Sequence, residues 1–328
     1  LIAHVVDAVD AKMLVAEWDR RCNRLAAAFW PGPLTLILPR GGMVPDEAVA
    51  GLPSIAVRSP MHPVARSLLY AVDGPVSAPS ANRSGHVSPT TVEHVMVDFA
   101  GVDDLLVLEG GRAGFGIEST VLDLTGDLPV IRRPGSVTAD ALRRIVGPIE
   151  TAHAVEQGVS PGTSLIHYAP DVPATMVPSV RLAGFLGSLP APAAVLALPG
   201  SEVREPHVAI RMQPDAEGYA RMLYAGLREA EATGLSQIVI EEPPGRDGVW
   251  LAVLDRLRRA DVPMVVTSNS EGRVAELLEQ VGLRRCFVAS LDSGVLGVAK
   301  PDRRIFELAA EALGVPLEAM VHVGDSEA

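Results

Sequence analysis

Cysteine is scarce in this 328-residue chain: Cys22 and Cys286 are the only two, and they lie far apart. A disulfide framework or a cysteine-based zinc site is not supported, and two reduced core thiols in a cytoplasmic protein are expected instead. Aromatic residues are also few, so the core must come mainly from Val, Leu, Ala and Ile. No apolar run approaches the length of a membrane span. The opening Leu1-Ile2-Ala3-His4-Val5-Val6 has the marks of neither a signal nor a transit peptide, and without an initiator Met the start reads as cut. Basic charge is the last shortage: 28 Lys and Arg face 40 Asp and Glu, for a net charge of −12. A protein that grips a polyphosphate backbone usually carries a basic patch. The short clusters Arg20-Arg21 and Arg256 to Arg259 read as solvated helix faces, so direct nucleic-acid binding, tRNA included, is disfavoured.

Glycine and proline are plentiful, which suits an α/β protein with many short turns. Strands are expected at Leu34–Leu38, Ser54–Val57, Pro75–Ser77, Leu105–Leu108, Thr120–Leu124 and Val130–Arg133. Helices are expected over Leu14–Phe29, Pro63–Tyr70, Thr91–Phe99 and Thr138–Val146, with Thr138 as an N-cap. Residues 151–170 read as a linker holding Ser160-Pro161-Gly162-Thr163 and His167-Tyr168-Ala169-Pro170. Beyond it, Ala193–Leu198 and Gln237–Ile240 are continuous apolar runs, the pattern of buried parallel strands. Glu217–Thr233, closed by Gly234, and Leu251–Arg259 are helices of the same unit. A third segment has strands at Pro263–Val266 and Met320–Val323 and helices at Arg273–Val281 and Arg304–Leu313. The expected fold is α/β. A twisted mixed sheet with helices occupies 1–150, a small Rossmann-like domain 171–260, and a partial Rossmann-like piece 261–328.

Chemistry concentrates in the loop Ser77-Ala78-Pro79-Ser80-Ala81-Asn82-Arg83-Ser84-Gly85. Small residues let backbone amides approach a ligand, hydroxyls and an Asn amide add donors, and successive N–H groups can cradle a phosphate. A lone loop of this kind is more often an ordinary turn. Three further features shift that balance: the turn Phe29-Trp30-Pro31-Gly32-Pro33-Leu34-Thr35, the strand entry Gly116-Ile117-Glu118-Ser119-Thr120-Val121, and Arg132-Arg133-Pro134-Gly135.

On these motifs, together with the Leu1–Val5 strand and Val57-Arg58, residues 1–170 resemble the YrdC-like catalytic domain of the threonylcarbamoyl-AMP synthase family. The linker, with Ser160-Pro161-Gly162 and His167-Tyr168-Ala169-Pro170, and residues 171–260 resemble the accessory domain of its two-domain form. The resemblance implies that L-threonine, bicarbonate and ATP, with Mg²⁺ accompanying ATP, give L-threonylcarbamoyl-adenylate and pyrophosphate. Other proteins would then use the adenylate to modify the adenosine beside the anticodon of some tRNAs. It implies that His4, Arg58, Ala78 and Ser119 hold threonine. It implies that Ser54, Ser80, Ser88 and Arg133 contact ATP, with Asn82 supporting the loop and Tyr168 folding over from the linker. No residue is assigned as a nucleophile or as a resident metal ligand, because such a reaction needs positioning and charge stabilisation. The family also carries an N-terminal Thr-Glu-Thr-Val-Tyr-Gly-Leu segment and a Lys-x-Arg pair that contacts ATP. Neither is in this sequence, and Ser164, Leu165 and Ile166 stand where basic residues usually precede His-Tyr. Impaired synthase activity is the expectation that follows.

Residues 263–328 resemble the C-terminal half of a haloacid-dehalogenase-like hydrolase, with Ser268, Lys300 and Asp325 at its phosphoryl-orienting and Mg²⁺-loop positions. No Asp-x-Asp nucleophile motif precedes them at a strand end, so this piece is expected to be catalytically dead and to mark a fusion. Two alternatives remain beside the synthase: a phosphatase of that hydrolase type, disfavoured by the missing nucleophile, and a non-catalytic nucleotide- or double-stranded-RNA-binding module, disfavoured by the charge.

Overall fold

The computed structural model describes residues 1–151, 169–260, 265–269, 272–280 and 289–313. Contacts divide the chain into two units, residues 1–170 with 174–261, and 262–328 with 171–173. In the first stretch come β1 (Ile2–His4), α1 (Ala8–Leu14), α2 (Arg20–Phe29), β2 (Leu34–Pro39), α3 (Asp46–Val49), β3 (Ser54–Arg58) and α4 (Pro63–Val72). They are followed by β4 (Val76–Ala78), α5 (Val92–Asp98), β5 (Thr120–Asp123), β6 (Val130–Arg133), α6 (Ala139–Val146) and β7 (Glu150–Thr151).

The strands form one mixed seven-stranded sheet in the order β4-β1-β3-β2-β5-β6-β7. Side chains alternate between its two faces. One face carries Ala3, Leu34, Leu36, Leu38, Ile55, Val57, Leu122 and Ile131, buried with Leu25 of α2 and Leu142 of α6. The other face has only a small apolar cluster, Ile2, Ile37, Ala56 and Val121. Apolar burial on the first face, at about 25 cal/mol per Å², anchors the sheet and leaves the second face available for polar work.

Two expectations for this region are corrected. Leu14–Phe29 is not one helix. Asp7 caps α1 by accepting from the Val9 and Asp10 amides. The chain then extends so that Val15 bridges Arg40 and the Ala16 amide donates to the Pro39 carbonyl at 2.9 Å. Asp19 restarts the helix by accepting from the Cys22 amide. The apolar spacing was continuous, but the capping Asp19 and a strand edge that needed a partner split it. Leu105–Leu108 is not a strand: it is loop, with Leu106 83% exposed. Its apolar residues find no strand to pair with among the described residues. Cys22 is buried, and burial pushes its thiol up to about 12, so it is an inert core residue.

The second sheet is built by β8 (Ala174–Val177), α7 (Ser179–Ser188), β9 (Ala194–Ala197), β10 (Val208–Arg211), α8 (Ala216–Ala232), β11 (Ile238–Glu241) and α9 (Gly248–Ala260). Its order is β10-β9-β11-β8, and every pairing is parallel. The central strands β9 and β11 are buried throughout, as their unbroken apolar runs require. Gly234 takes φ +71°, the left-handed turn that closes the end of α8.

The remaining unit pairs β12 (Val265–Ser268) with β13 (Ala289–Asp292) in parallel, with α10 (Val274–Gln280), α11 (Ser293–Leu296) and α12 (Arg303–Leu313) around them. The Asp292 carboxylate is buried and accepts from the Gly272, Val274 and Gly294 amides at 2.9, 3.0 and 2.9 Å. The expected strand Met320–Val323 and Cys286 lie outside the described residues.

Candidate active site

The pleat brings five of the expected residues, His4, Arg58, Ala78, Ser119 and Arg133, to one face of the sheet. His4 pairs in register with Arg58 on one side and Val76 on the other, and Ile2 pairs with Ala78. Val121 pairs with Arg133, and Ile37 with Ala56. Alternation therefore puts His4, Ala78, Arg58, Thr35, Ser119 and Arg133 on the face of the small apolar cluster. The Thr35 and Ser119 hydroxyls meet at 2.7 Å. Arg133 is buried and donates from Nε to the Ser119 carbonyl at 3.1 Å and from Nη2 to the Ser119 hydroxyl at 3.2 Å. Arg58 points a buried Nε that has no hydrogen-bond partner. Burial and then the Arg133 charge bring its guanidinium down to about 10, so it stays cationic at neutral pH. A partnerless buried donor on a charged group is costly, and a carboxylate would relieve it.

Ser54 is not brought to this cluster. It opens β3 while Arg58 ends it, and four residue steps along the strand separate them by about 13 Å. The Ser77–Gly85 loop leaves β4 beside β1. Ala81 and Gly85 both take positive φ, 56° and 82°, which bends the loop tightly. The Ser80 hydroxyl donates to the Asn82 amide oxygen. Asn82 Nδ2 donates to the Arg83 and His86 carbonyls at 3.0 and 2.8 Å. The Ala169 amide donates to the Gly85 carbonyl at 3.0 Å, so the chain re-enters next to this loop. Tyr168 lies outside the described residues.

Ser88 is buried, and its hydroxyl donates to Glu118 Oε1 at 2.7 Å. Glu118 Oε2 accepts from the Tyr224 hydroxyl at 2.7 Å and from Arg256 Nε at 3.2 Å. Burial alone would raise this carboxyl. The Arg256 and Arg133 charges, with the Ser88 and Tyr224 hydrogen bonds, outweigh it and hold Glu118 below the usual carboxylate range. Arg256 also donates to the Pro134 carbonyl at 2.6 Å and is 1% exposed. The solvated face expected for Arg256 to Arg259 is therefore wrong at Arg256: a carboxylate and a carbonyl inside the fold satisfy its guanidinium.

His4 gives a pH prediction. Burial, then the Arg58 charge, push its imidazole from 6.5 down to about 4. Between those values the unfolded chain binds more protons than the folded one. Stability contributed by neutral His4 is thus complete above the unfolded value and is lost as pH falls toward the folded one. Urea unfolding from pH 7 to pH 4 should show a loss that His4→Asn lacks, of about 3 kcal/mol. Equal acid slopes for the two proteins would contradict this.

In the separate C-terminal unit, Ser268 ends β12. The next residue, Asn269, donates to the Lys300 carbonyl at 2.9 Å and accepts from the Lys300 amide at 2.7 Å. Ser268 and the Lys300 backbone are thereby tied to one corner, while Asp325 lies outside the described residues.

A synthase named threonylcarbamoyl-AMP synthase from Pyrococcus abyssi is 33% identical over 271 residues, covering 79% of each chain. This chain belongs to the threonylcarbamoyl-AMP synthase family. The family described as telomere recombination, which groups Sua5, YciO and YrdC, matches residues 1–135, and the threonylcarbamoyl-AMP synthase C-terminal domain matches 137–261. The synthase of Bacillus subtilis is 40% identical, over 53% of this chain and 51% of its own. A crystal structure of P. abyssi Sua5 complexed with L-threonine superposes with a TM-score of 0.73 at 30% identity, covering 89% of this chain and 81% of that one. The haloacid dehalogenase-like hydrolase family matches residues 201–328 and so overlaps the synthase C-terminal domain.

Sequence reasoning missed the residues that join the family's two domains. Arg221, Tyr224 and Arg228 lie three and four apart on α8, a single helical face. Arg221 Nε donates to the Gly114 carbonyl at 3.2 Å. Arg228 donates to both Asp98 carboxylate oxygens, at 3.0 and 2.6 Å, and to the Val87 carbonyl at 2.5 Å. Gly116, at φ +71°, sits where a Cβ would come within 2.3 Å of the Arg221 Cα. A polar stripe of Arg, Tyr and Arg was the available signal, and it reads like a solvated face until a partner surface is known. Among the described residues no helix is long and apolar enough to cross a membrane.

Proposed function

We propose that the chain is an L-threonylcarbamoyladenylate synthase and that the polar sheet face is its active site. The observation that carries this reading is the buried Arg58 Nε without a partner, beside the Thr35–Ser119–Arg133 network. A cation so placed suits the carboxylate of an amino acid. Arg58 takes the threonine carboxylate, and Ser119 and the Ala78 backbone flank it. Neutral His4 adds a hydrogen-bonding group without further charge.

The threonine amine attacks bicarbonate carbon, and loss of water leaves a carbamate. A carbamate oxygen then attacks the α-phosphorus of ATP, the P–O bond to the β-phosphate breaks, and pyrophosphate departs. No side chain needs to form a covalent bond. What this chain supplies is alignment and positive charge where the phosphate oxygens crowd. The Ser77–Gly85 loop receives the nucleotide phosphates, with Ser80 as donor and Asn82 holding the loop shape. Ser88 acts through Glu118. Among the described residues no cluster of three His, Cys, Asp or Glu could hold a metal. Mg²⁺ would accompany the triphosphate, as is usual for this small, hydrated ion. The adenylate serves tRNA N6-threonylcarbamoyladenosine formation in the cytoplasm, through separate transfer proteins.

Calorimetry with ATP and L-threonine, alone and together, tests the reading. Each ligand should bind more tightly in the presence of the other, and pyrophosphate release should require threonine and bicarbonate. ATP binding that is indifferent to threonine would defeat it.

A further inference from the structure

Glu118 stands at a junction. Its carboxylate binds Ser88, which follows the phosphate loop, and Tyr224 and Arg256, which come from α8 and α9. The next residue is Ser119, whose carbonyl and hydroxyl both accept from Arg133 and whose hydroxyl meets Thr35. Tyr224 is 1% exposed, so its hydroxyl meets Glu118 inside the fold. The turn Pro134-Gly135 closes the ring: Arg256 holds the Pro134 carbonyl, and a Cβ on Gly135 would come within 2.4 Å of the Thr120 amide nitrogen. Residues 118–120 and 133–135 are thus packed backbone against backbone, and the accessory domain grips both.

We propose that Tyr224 is a positioning residue for the threonine subsite: by holding Glu118 it fixes the Ser119 hydroxyl, the group that meets Thr35 and accepts from Arg133 Nη2. The accessory domain is in this sense part of the amino-acid site. The inference rests on the synthase reading for its ligand, but not for the coupling itself.

The test is a double-mutant cycle on the full chain. Tyr224→Phe removes one hydroxyl and keeps the ring. It should weaken L-threonine binding about tenfold, the equivalent of about 1.4 kcal/mol. In a Ser119→Ala background the same change should weaken binding by about twofold or less, because the group it positions is gone. A purely structural role for Tyr224 would give the same factor in both backgrounds and overturn the proposal, as would unchanged affinity in Tyr224→Phe. A second readout does not depend on activity. In ¹⁵N-labelled protein the Ser119 and Thr120 amide resonances should move in Tyr224→Phe, and resonances that stay in place refute the coupling. If the unaltered chain binds no threonine, the synthase reading fails, and the amide resonances still decide whether Tyr224 positions Ser119.

Discussion

Arg58→Met lowers L-threonine affinity by roughly 30-fold to several thousand-fold, the range expected when one member of a buried, hydrogen-bonded charge pair is truncated. The same change leaves the ligand-free protein as stable as before or more so. Arg58 holds a cation at the end of β3 where its Nε is buried without a partner and the Arg133 charge is near. Folding alone does not offset the cost of desolvating that charge, and a methionine of similar length fills the space without it. Isothermal calorimetry measures the first effect and urea unfolding the second. A variant that loses stability while keeping affinity would show that Arg58 serves the fold and not the ligand.

Arg256→Ala should lower the thermal midpoint by roughly 10 °C, the shift that corresponds to about 3–5 kcal/mol for a protein body of this size. Arg256 is 1% exposed, pairs with Glu118 and Asp255, and donates to the Pro134 carbonyl. Removing it leaves the Glu118 carboxylate with two hydroxyl donors and no cation at 3.2 Å. Arg258, exposed on the same helix, is the control, and Arg258→Ala should change stability by about 0.5 kcal/mol or less. The variants also differ in acid. The carboxyl of Glu118 is held low in the folded protein, so its contribution is present above the unfolded carboxylate value and is lost as pH falls through the folded one. Arg256→Ala should flatten that acid limb, and differential scanning calorimetry at several pH values would record it.

About half of the residues expected for the site share one sheet face, and their motifs were legible in the sequence. Small residues and hydroxyls marked the Ser77–Gly85 loop, and the motifs around Glu118 and Arg133 marked the sheet face. Local signals also worked where a single residue decides: Thr138 caps α6, and Gly234 closes α8. What could not be read was anything set by a distant partner. Leu14–Phe29 has helical periodicity, yet the edge of β2 claims Val15 and Ala16. Leu105–Leu108 has strand composition, yet no strand lies beside it among the described residues. Arg256 looked like a surface charge because nothing in its own helix foretells Glu118, 138 positions earlier in the chain. Ser54 and Arg58 share one strand, and only the length of that strand separates their roles.

The tryptophans have a spectroscopic consequence. There are three, and none lies beyond residue 250. Trp18 and Trp30 face each other at 5.9 Å beside the seven-stranded sheet, with the Trp30 indole donating to the Leu34 carbonyl at 2.7 Å. Trp250 stands 5.4 Å from Tyr219 against the four-stranded sheet. Red-edge excitation therefore reports only on the unit that contains both sheets, while melting of the C-terminal unit is dark in fluorescence and visible in circular dichroism. Replacing Trp250 with Phe isolates the Trp18–Trp30 pair, whose indole anchor lies at the entry to β2. The chain thus carries a native optical probe hydrogen-bonded to the first residue of β2, on the apolar face of the seven-stranded sheet.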